Sequence, residues 1–485
     1  MRIFKVYLDE LKIVFMKRIL QLAILLLISQ SALSQITFSP NIIDNDQPTA
    51  NAANTVTTGD FDGDGDIDVI GGAFQADYYS IYRNDGSGNF TRSTIDNGAT
   101  ADGARFVTAF DLDEDGDLDF LAASSTANAF LWYENDGSGL FVVHVIDSSP
   151  LSDEAYSIGA ADFDDDGDMD VVGGANAGDA LTVYANDGSE NFTVLNVLSV
   201  GDNRTNGVRV VKVADLDLDL DPDIVVAAFA GDTYSWYEND GSGVFTPHTI
   251  DDSPNADGAT AIDIADLDGD GDLDIAAGSN NANQFLWYEN DGSENFSANI
   301  IDNTSTYSIG PRGLSLVDLE QDGDMDIITA AVTGDAFAWY ENDGSGGFTG
   351  DIISVDPTYS NGAFAITSAD IDGDLVDDIV TAANISDAFS WFGTEGVIIL
   401  GTGNNTLEDI GMYPNPTRDV LNLQIPNDIS EVDIVICDNF GKLLLNMNRK
   451  NPGTVSLDMS GFSTGIYYIK VIGSEGNTVR KVIKE

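Results

Sequence analysis

The chain has 485 residues and carries 82 acidic side chains against 20 basic ones, a formal charge of −62. That length has room for more than one domain, and that charge repels nucleic acid and anionic lipid. A single cysteine, Cys437, excludes an internal disulfide and a cysteine-built zinc site. Within the apolar run Val435-Ile436-Cys437 it reads as a small core residue. Residues 1–34 read as a secretory leader, with Met16 as a better start than Met1. Met16-Lys17-Arg18 is its basic region, Ile19 to Ile28 its apolar core, and Ala32-Leu33-Ser34 its small-residue cleavage site. The core is too short to span a bilayer, and no other segment could cross one, so the mature chain has no transmembrane segment.

The acidic excess is concentrated. Residues 35–408 hold 71 acids against seven bases, whereas residues 409–485 hold nine acids and eight bases. A composition shift that sharp marks a domain boundary. Apolar runs alternate with the charges in the acidic part, which argues for a folded domain rather than a disordered one.

Within the acidic part a loop recurs seven times. Its first copy is Asp60-Phe61-Asp62-Gly63-Asp64-Gly65-Asp66-Ile67-Asp68, and its first aspartate returns at Asp111, Asp162, Asp215, Asp266, Asp318 and Asp370, at steps of 51, 51, 53, 51, 52 and 52 residues. Around each loop the same order of short runs repeats. A small or β-branched run such as Thr55-Val56-Thr57-Thr58 precedes it, and an apolar run such as Val69-Ile70 follows. Then comes an aromatic run such as Phe130-Leu131-Trp132-Tyr133, a turn such as Asn135-Asp136-Gly137-Ser138-Gly139, and a last run opened by an aromatic such as Phe141. Four short strands in each of seven units predict an all-β, seven-bladed β-propeller over residues 35–393. The last unit lacks its fourth strand, and the matching form stands before the first loop as Phe38-Ser39-Pro40-Asn41-Ile42-Ile43-Asp44. The N-terminal strand is therefore expected to close the last blade.

The loops predict metal. Carboxylates at positions 1, 3 and 5 converge, glycine at position 6 permits the turn, and the carbonyl at position 7 and carboxylate at position 9 complete an oxygen cage of the kind that suits Ca²⁺. The candidate ligands are Asp60, Asp62, Asp64, Asp66 and Asp68; Asp111, Asp113, Asp115, Asp117 and Asp119; Asp162, Asp164, Asp166, Asp168 and Asp170; Asp266, Asp268, Asp270, Asp272 and Asp274; and Asp318, Glu320, Asp322, Asp324 and Asp326. Position 12, a glutamate in an EF-hand, is Gly71, Ala122, Gly173, Val226, Ala277, Thr329 or Thr381, so these are not EF-hands. Leu220 and Leu375 replace the glycine in the loops at Asp215 and Asp370, and weaker or absent metal is expected there. Roughly four to seven ions are expected in all, one per intact loop.

These repeats resemble the FG-GAP and VCBS repeats of calcium-binding seven-bladed propellers, over residues 36–393. The resemblance implies an extracellular, mostly non-catalytic module that contacts carbohydrate or protein. Residues 394–410 read as a polar linker, and 411–485 as a small β-sandwich with strands at Val420 to Leu423, Val432 to Cys437 and Ile466 to Val471. Tyr413-Pro414-Asn415-Pro416, Asn439-Phe440-Gly441-Lys442, Leu457-Asp458-Met459-Ser460, Gly465-Ile466-Tyr467-Tyr468 and the basic ending Arg480 to Lys484 resemble the type A sorting domain of type IX secretion. That resemblance implies a Bacteroidetes-type host, partnership with the secretion machinery and its sortase, and a destination at the outer cell surface or beyond it.

Two further sets of residues invite opposed readings. Trp132, Trp236, Trp287, Trp339 and Trp391 occupy one position in five blades; packing between blades is the expected role, stacking on sugars the alternative. His144 and His248 are expected at the surface, in two different blades. Arg105, Arg209 and Arg312 each lie six residues before the first aspartate of a loop, where Asn54, Tyr156, Thr260 and Phe364 stand in the other repeats. They are expected to ring the mouth of the central channel, on the face away from the metal loops, as a candidate site for an anionic group. The alternative is that each pairs with a nearby aspartate. No Gly-x-Ser-x-Gly or His-Glu-x-x-His motif occurs, so a non-catalytic binding or adhesion module is favoured over a polysaccharide lyase or a structural surface component.

Overall fold

The computed structural model of the chain describes residues 36–395, apart from 190, 201 and 294, and most of 411–484. The expected leader, nearly all of the expected linker, Pro414-Asn415-Pro416, Asn439 to Lys442 and the side chain of Cys437 lie outside the described residues.

Seven four-stranded antiparallel sheets follow one another along the chain. In blade 1 the strands are Ala53–Gly59, Asp68–Ala73, Tyr78–Asn84 and Phe90–Asp96. Blades 2 to 6 repeat this order over 104–147, 155–200, 208–251, 259–302 and 311–354. Blade 7 takes three strands from 363–395 and its fourth from Thr37–Asp44, with Phe38 opposite Thr394 and Asn41 opposite Trp391. The N-terminal strand thus closes the ring. The closing partner, Ala388–Glu395, runs two residues past the expected boundary at 393, because Thr394 and Glu395 still pair with Phe38 and Thr37.

Burial within a blade explains its composition. The first strands of successive blades lie side by side around the axis, and that of blade 7 lies against that of blade 1. Each is buried at its first residue and partly exposed further along. Every residue of the second strand is buried, and the fourth strand is largely exposed. The second strands need small residues because the preceding blade intrudes on them. A Cβ on Gly71 would meet the Phe389 ring at 2.8 Å, and one on Gly173 the Phe130 ring at 2.5 Å.

Polar clamps join the blades on the face away from the acidic loops. The turn between second and third strands carries an Asp or Asn in the left-handed region: Asp77, Asn128, Asp179, Asp232, Asn283, Asp335 or Asp387. Its Oδ1 accepts from a backbone N–H of the next blade in all seven cases, at 2.8–3.1 Å. Asp and Asn tolerate this backbone conformation and supply the acceptor at once.

The C-terminal module is a sandwich of two sheets, one of three strands and one of four. Leu421, Leu423, Ile434, Ile436, Leu457, Ile469 and Val482 are fully or nearly fully buried between them. Its strands Val420–Gln424, Glu431–Asp438 and Gly465–Gly473 extend the expected ones by one to three residues. No helix among the described residues is long and apolar enough to cross a membrane.

Candidate functional site

Each acidic loop joins the first strand of a blade to the second, and each Asn-Asp-Gly turn joins the third to the fourth, so both lie on one face of the ring. In the first loop, Asp60 Oδ1 accepts from Gly63 N–H at 2.9 Å and Asp60 Oδ2 from Gly65 N–H at 3.0 Å. The position-1 carboxylate thereby folds the loop around itself. The same bond to the position-6 N–H recurs from Gly116, Gly167, Leu220, Gly271, Gly323 and Leu375.

In five loops three carboxylates converge, positions 1, 3 and 5 in two of them and positions 1, 3 and 9 in the other three. One oxygen from each of Asp60, Asp62 and Asp64 lies within 4.8 Å of the others, as do those of Asp111, Asp113 and Asp115. Asp162 and Asp164 meet Asp170 in this way, Asp215 and Asp217 meet Asp223, and Asp266 and Asp268 meet Asp274. Position 9 is buried in all seven loops. One of its oxygens accepts from a backbone N–H sixteen residues on, at 2.7–2.9 Å. Trp132 and Trp339 donate to the second oxygen of Asp119 and Asp326. Burial, reinforced by neighbouring loop carboxylates, lifts Asp68, Asp223 and Asp274 to about 7 and Asp119 and Asp170 to about 6. Position 7 faces elsewhere: a Cβ on Gly86 of the adjoining turn would meet Asp66 Oδ1 at 2.6 Å. This leaves the backbone carbonyl as what position 7 can offer an ion.

These residues fit a hard cation. Every side-chain donor is a carboxylate oxygen, and the buried atoms Asp62 Oδ1, Asp68 Oδ2, Asp111 Oδ1 and Asp164 Oδ1 have no hydrogen-bond donor. A divalent ion at the convergence point would satisfy them and offset the repulsion. The loops still differ. In the first, Arg83 Nε stands 3.2 Å from Asp62 Oδ2 and already partners one oxygen of that carboxylate. In the sixth, the longer Glu320 is buried against Asp326, and burial together with that carboxylate pushes it upward. In the loops at Asp215 and Asp370, Leu220 and Leu375 hold the turn at φ +82° and +70°, where Gly65 has +94°.

Sequence reasoning missed one part of this face. Asn135 Nδ2 of blade 2 donates to Phe61 O in the blade 1 loop at 2.8 Å and to Leu118 O at 3.0 Å. Asn84, Asn239, Asn290 and Asn342 make the same bridge to Ile371, Phe163, Leu216 and Leu267. The turn asparagine therefore ties each of these loops to the next blade. The detectable signal was a constant offset of sixteen residues between the position-9 aspartate and an asparagine in blades 1 to 6, with Thr394 at that place in blade 7.

The tryptophans are between 1% and 7% exposed, which decides for packing. A Cβ on Gly346 of blade 6 would run into Trp287 of blade 5, and one on Gly88 of blade 1 into Trp391 of blade 7. His144 and His248 lie half-buried on outer strands, stacked on Trp132 and Trp236 at 4.6 Å and bonded to Glu134 and Glu238.

The central channel holds the three arginines. Asn54, Arg105, Tyr156, Arg209, Thr260, Arg312 and Phe364, one from each blade, line a cavity of about 200 Å³. Tyr156 reaches between the arginines, and its hydroxyl oxygen is contacted by Arg105 Nη2, Arg209 Nη1 and Arg312 Nη2. Arg312 Nη1 also donates to Thr260 Oγ1 at 2.8 Å. None of the three is ion-paired among the described residues, so the expected alternative, a nearby aspartate for each, does not hold. The other four propeller cations are paired: Arg83 with Asp62, Arg92 with Asp44, Arg204 with Asp202 and Lys212 with Asp263.

Comparison with protein families agrees with this architecture. The FG-GAP-like repeat model matches residues 60–122, 111–173, 215–277, 266–329 and 318–381, which together exceed half of the chain and include all seven loops. The chain belongs to the FG-GAP-like repeat family. Residues 411–485 match the secretion system C-terminal sorting domain. That domain marks proteins exported by type IX secretion to the cell surface or the extracellular space, and so assigns this chain its route and destination. No curated protein matches the chain. Among solved structures, BBS1N in complex with ARL6DN, soaked with mercury, is similar at 12% identity with a TM-score of 0.49, over 74% of this chain and 97% of that one. An arginine-to-alanine triple mutant of AofleA from Arthrobotrys oligospora is similar at 14% identity with a TM-score of 0.41, over 66% of this chain and 91% of that one.

Proposed function

We propose that this FG-GAP-like propeller is a calcium-stabilised, non-catalytic ligand-binding or adhesion module that acts at or beyond the outer cell surface. The observation that carries the calcium reading is the repeated convergence of loop carboxylates with buried oxygens left without donors. Hard oxygen ligands in a loop of this spacing suit Ca²⁺, which accepts six to eight of them, better than Mg²⁺, which keeps more of its water. Asp60, Asp62, Asp64, the carbonyl of Asp66 and Asp68 would hold the first ion, with the same positions serving in the other intact loops. The ion's role there is structural: it neutralises carboxylates that otherwise repel.

The non-catalytic reading rests on how the titratable groups are spent. The aspartates face one another inside loops, and the two histidines stack on tryptophans in different blades, each bonded to its own glutamate. Acid–base catalysis needs such groups aimed together at a substrate. Glycan or protein is the ligand class expected of such a module.

Two measurements test the proposal. Extracellular calcium modules bind at roughly 10⁻⁴ to 10⁻³ M, so about 2 mM calcium should raise the melting midpoint well above that in EDTA. An unchanged midpoint would refute calcium stabilisation. A glycan and activity screen of the mature chain should give saturable binding without turnover. Turnover would make it an enzyme such as a lyase, and neither outcome a structural surface component.

A further inference from the structure

The arginine cluster is unlike the rest of this protein. Its chain carries 62 more acids than bases, yet three cations meet at one level of the channel with no carboxylate within ion-pair distance among the described residues. Each occupies the second position of its innermost strand, in blades 2, 4 and 6, at the end away from the metal loops. Glu154 acts on Arg105 and Arg209 with opposite sign, without pairing to either, and its Oε2 accepts from Asn176 Nδ2 at 2.6 Å. Lys212, also on the channel wall, is held by Asp263 at 2.9 Å.

The cluster's donors outnumber its acceptors. One phenolic oxygen offers at most two lone pairs, yet three guanidinium groups point at it. Arg105 Nε and Arg209 Nε are buried and donate to nothing. Aromatic rings cover the guanidinium planes: Tyr156 and Phe364 lie 4.1 and 5.3 Å from Arg105, Phe229 lies 4.7 Å from Arg209, and Phe364 lies 4.3 Å from Arg312. Cation–π contact engages the faces, so the N–H groups are what remains to bond a ligand. Burial, with Arg312 and Arg209 beside it, holds Arg105 well below the usual guanidinium range. Burial likewise lowers Arg209 and brings Arg312 to about 9. A guanidinium keeps its proton at neutral pH, so these shifts express the cost of burying the three cations, with mutual repulsion adding to it at Arg105.

We propose that the channel mouth is a binding site for a small oxyanion, held by the edges of Arg105, Arg209 and Arg312, with the Tyr156 hydroxyl released from its three donors to bond the ligand. A carboxylate on a uronic-acid sugar and a free phosphate share this chemistry, and both are small enough for a cavity of about 200 Å³. Each accepts several guanidinium N–H groups at once, which a neutral sugar cannot do with comparable strength. This narrows the binding role proposed above to one site and one class of ligand, and it rests on that role.

The test is calorimetric titration of the calcium-loaded mature chain at low salt with glucuronate, inorganic phosphate and neutral glucose. The expected result is saturable binding of glucuronate, phosphate or both and none of glucose, with the two anions telling the sources apart. The triple variant R105Q/R209Q/R312Q should bind at least tenfold more weakly, whereas Arg92→Gln, which removes a paired cation from an outer strand, should bind as the native chain does. Calcium-dependent melting of each variant confirms its fold. If the triple variant does not fold, Arg209→Gln alone carries the comparison. The proposal is overturned if the native chain binds neither anion, if glucose binds as well as they do, or if the arginine variants bind unchanged. Saturable binding in the glycan screen with a channel blind to anions would sink this site and leave the broader binding role standing.

Discussion

Single residues in the acidic loops set how much of each turn comes free and how much is forced. Position 6 sits in the left-handed region in every loop, and five loops meet that demand with glycine. Leu220 meets it with a side chain that is 88% exposed, so nothing is gained from burial to offset the strain. Leu220→Gly should therefore stabilise the metal-free propeller by about 1 kcal/mol, the left-handed penalty less the added freedom of glycine when unfolded. A melting midpoint in EDTA that stays level or falls would contradict this. The sequence made the substitution visible and predicted weaker metal there. It did not reveal that the turn survives, because the hydrogen bond from position 6 to Asp215 is backbone-borne and indifferent to the side chain. The ligands themselves separate on removal. Asp64→Ala takes a converging carboxylate from an intact loop and should reduce the calcium-induced rise in melting, while Asp219→Ala in the leucine-bearing loop should change it little. Equal losses from the two variants would show that both loops hold metal alike.

Between neighbouring elements, the repeat is sewn together by side chains that the sequence displays without explaining. The tryptophans could be read as packing because they recur at one position and share a strand face with a second aromatic. The turn asparagine recurs as regularly, yet Asn-Asp-Gly is sufficient cause for a turn, and that explanation hid its bridge to the next loop. Its partners lie more than seventy residues away in sequence, beyond any local pattern. The bridge predicts a contrast between two blades. Asn135→Ala removes buried donors from Phe61 O and Leu118 O and should cost roughly 2–4 kcal/mol, as two acceptors lose their partner. Among the described residues Asn186 Nδ2 reaches only Met169 O of its own blade, at 3.2 Å, so Asn186→Ala should cost distinctly less. Chemical denaturation of the two variants in calcium measures the difference, and equal midpoints would refute the clamp. The arginines show the opposite limit of sequence reading. Their common position could be computed from the repeat, but whether each met an aspartate depended on Tyr156, which reaches them from a different blade.

The whole molecule is two units of unlike charge, and its division of labour follows from that difference. The propeller closes on its own N-terminal strand, so its sheets are complete by residue 395 and, among the described residues, take no strand from the chain beyond; the two units meet where Lys470 Nζ donates to Gln321 Oε1 at 2.5 Å. The C-terminal sandwich has a separate core built around Leu421, Ile434, Leu457 and Ile469. Both halves were legible because each rests on a pattern longer than any one contact: seven loops at a near-constant step, and a run of motifs over 75 terminal residues. Neither core should need the other to form. Deletion of residues 411–485 is therefore expected to leave a propeller that folds and still melts later in calcium than in EDTA. The deleted chain should nonetheless remain inside the outer membrane, because the sorting domain is the part that type IX secretion recognises. Cell fractionation decides the second half of the prediction and melting of the purified fragment the first. Normal arrival of the deleted chain at the surface would overturn the sorting role of the module. An unfolded fragment would instead mean that the ring, though closed by its own strand, depends on contact with the sandwich.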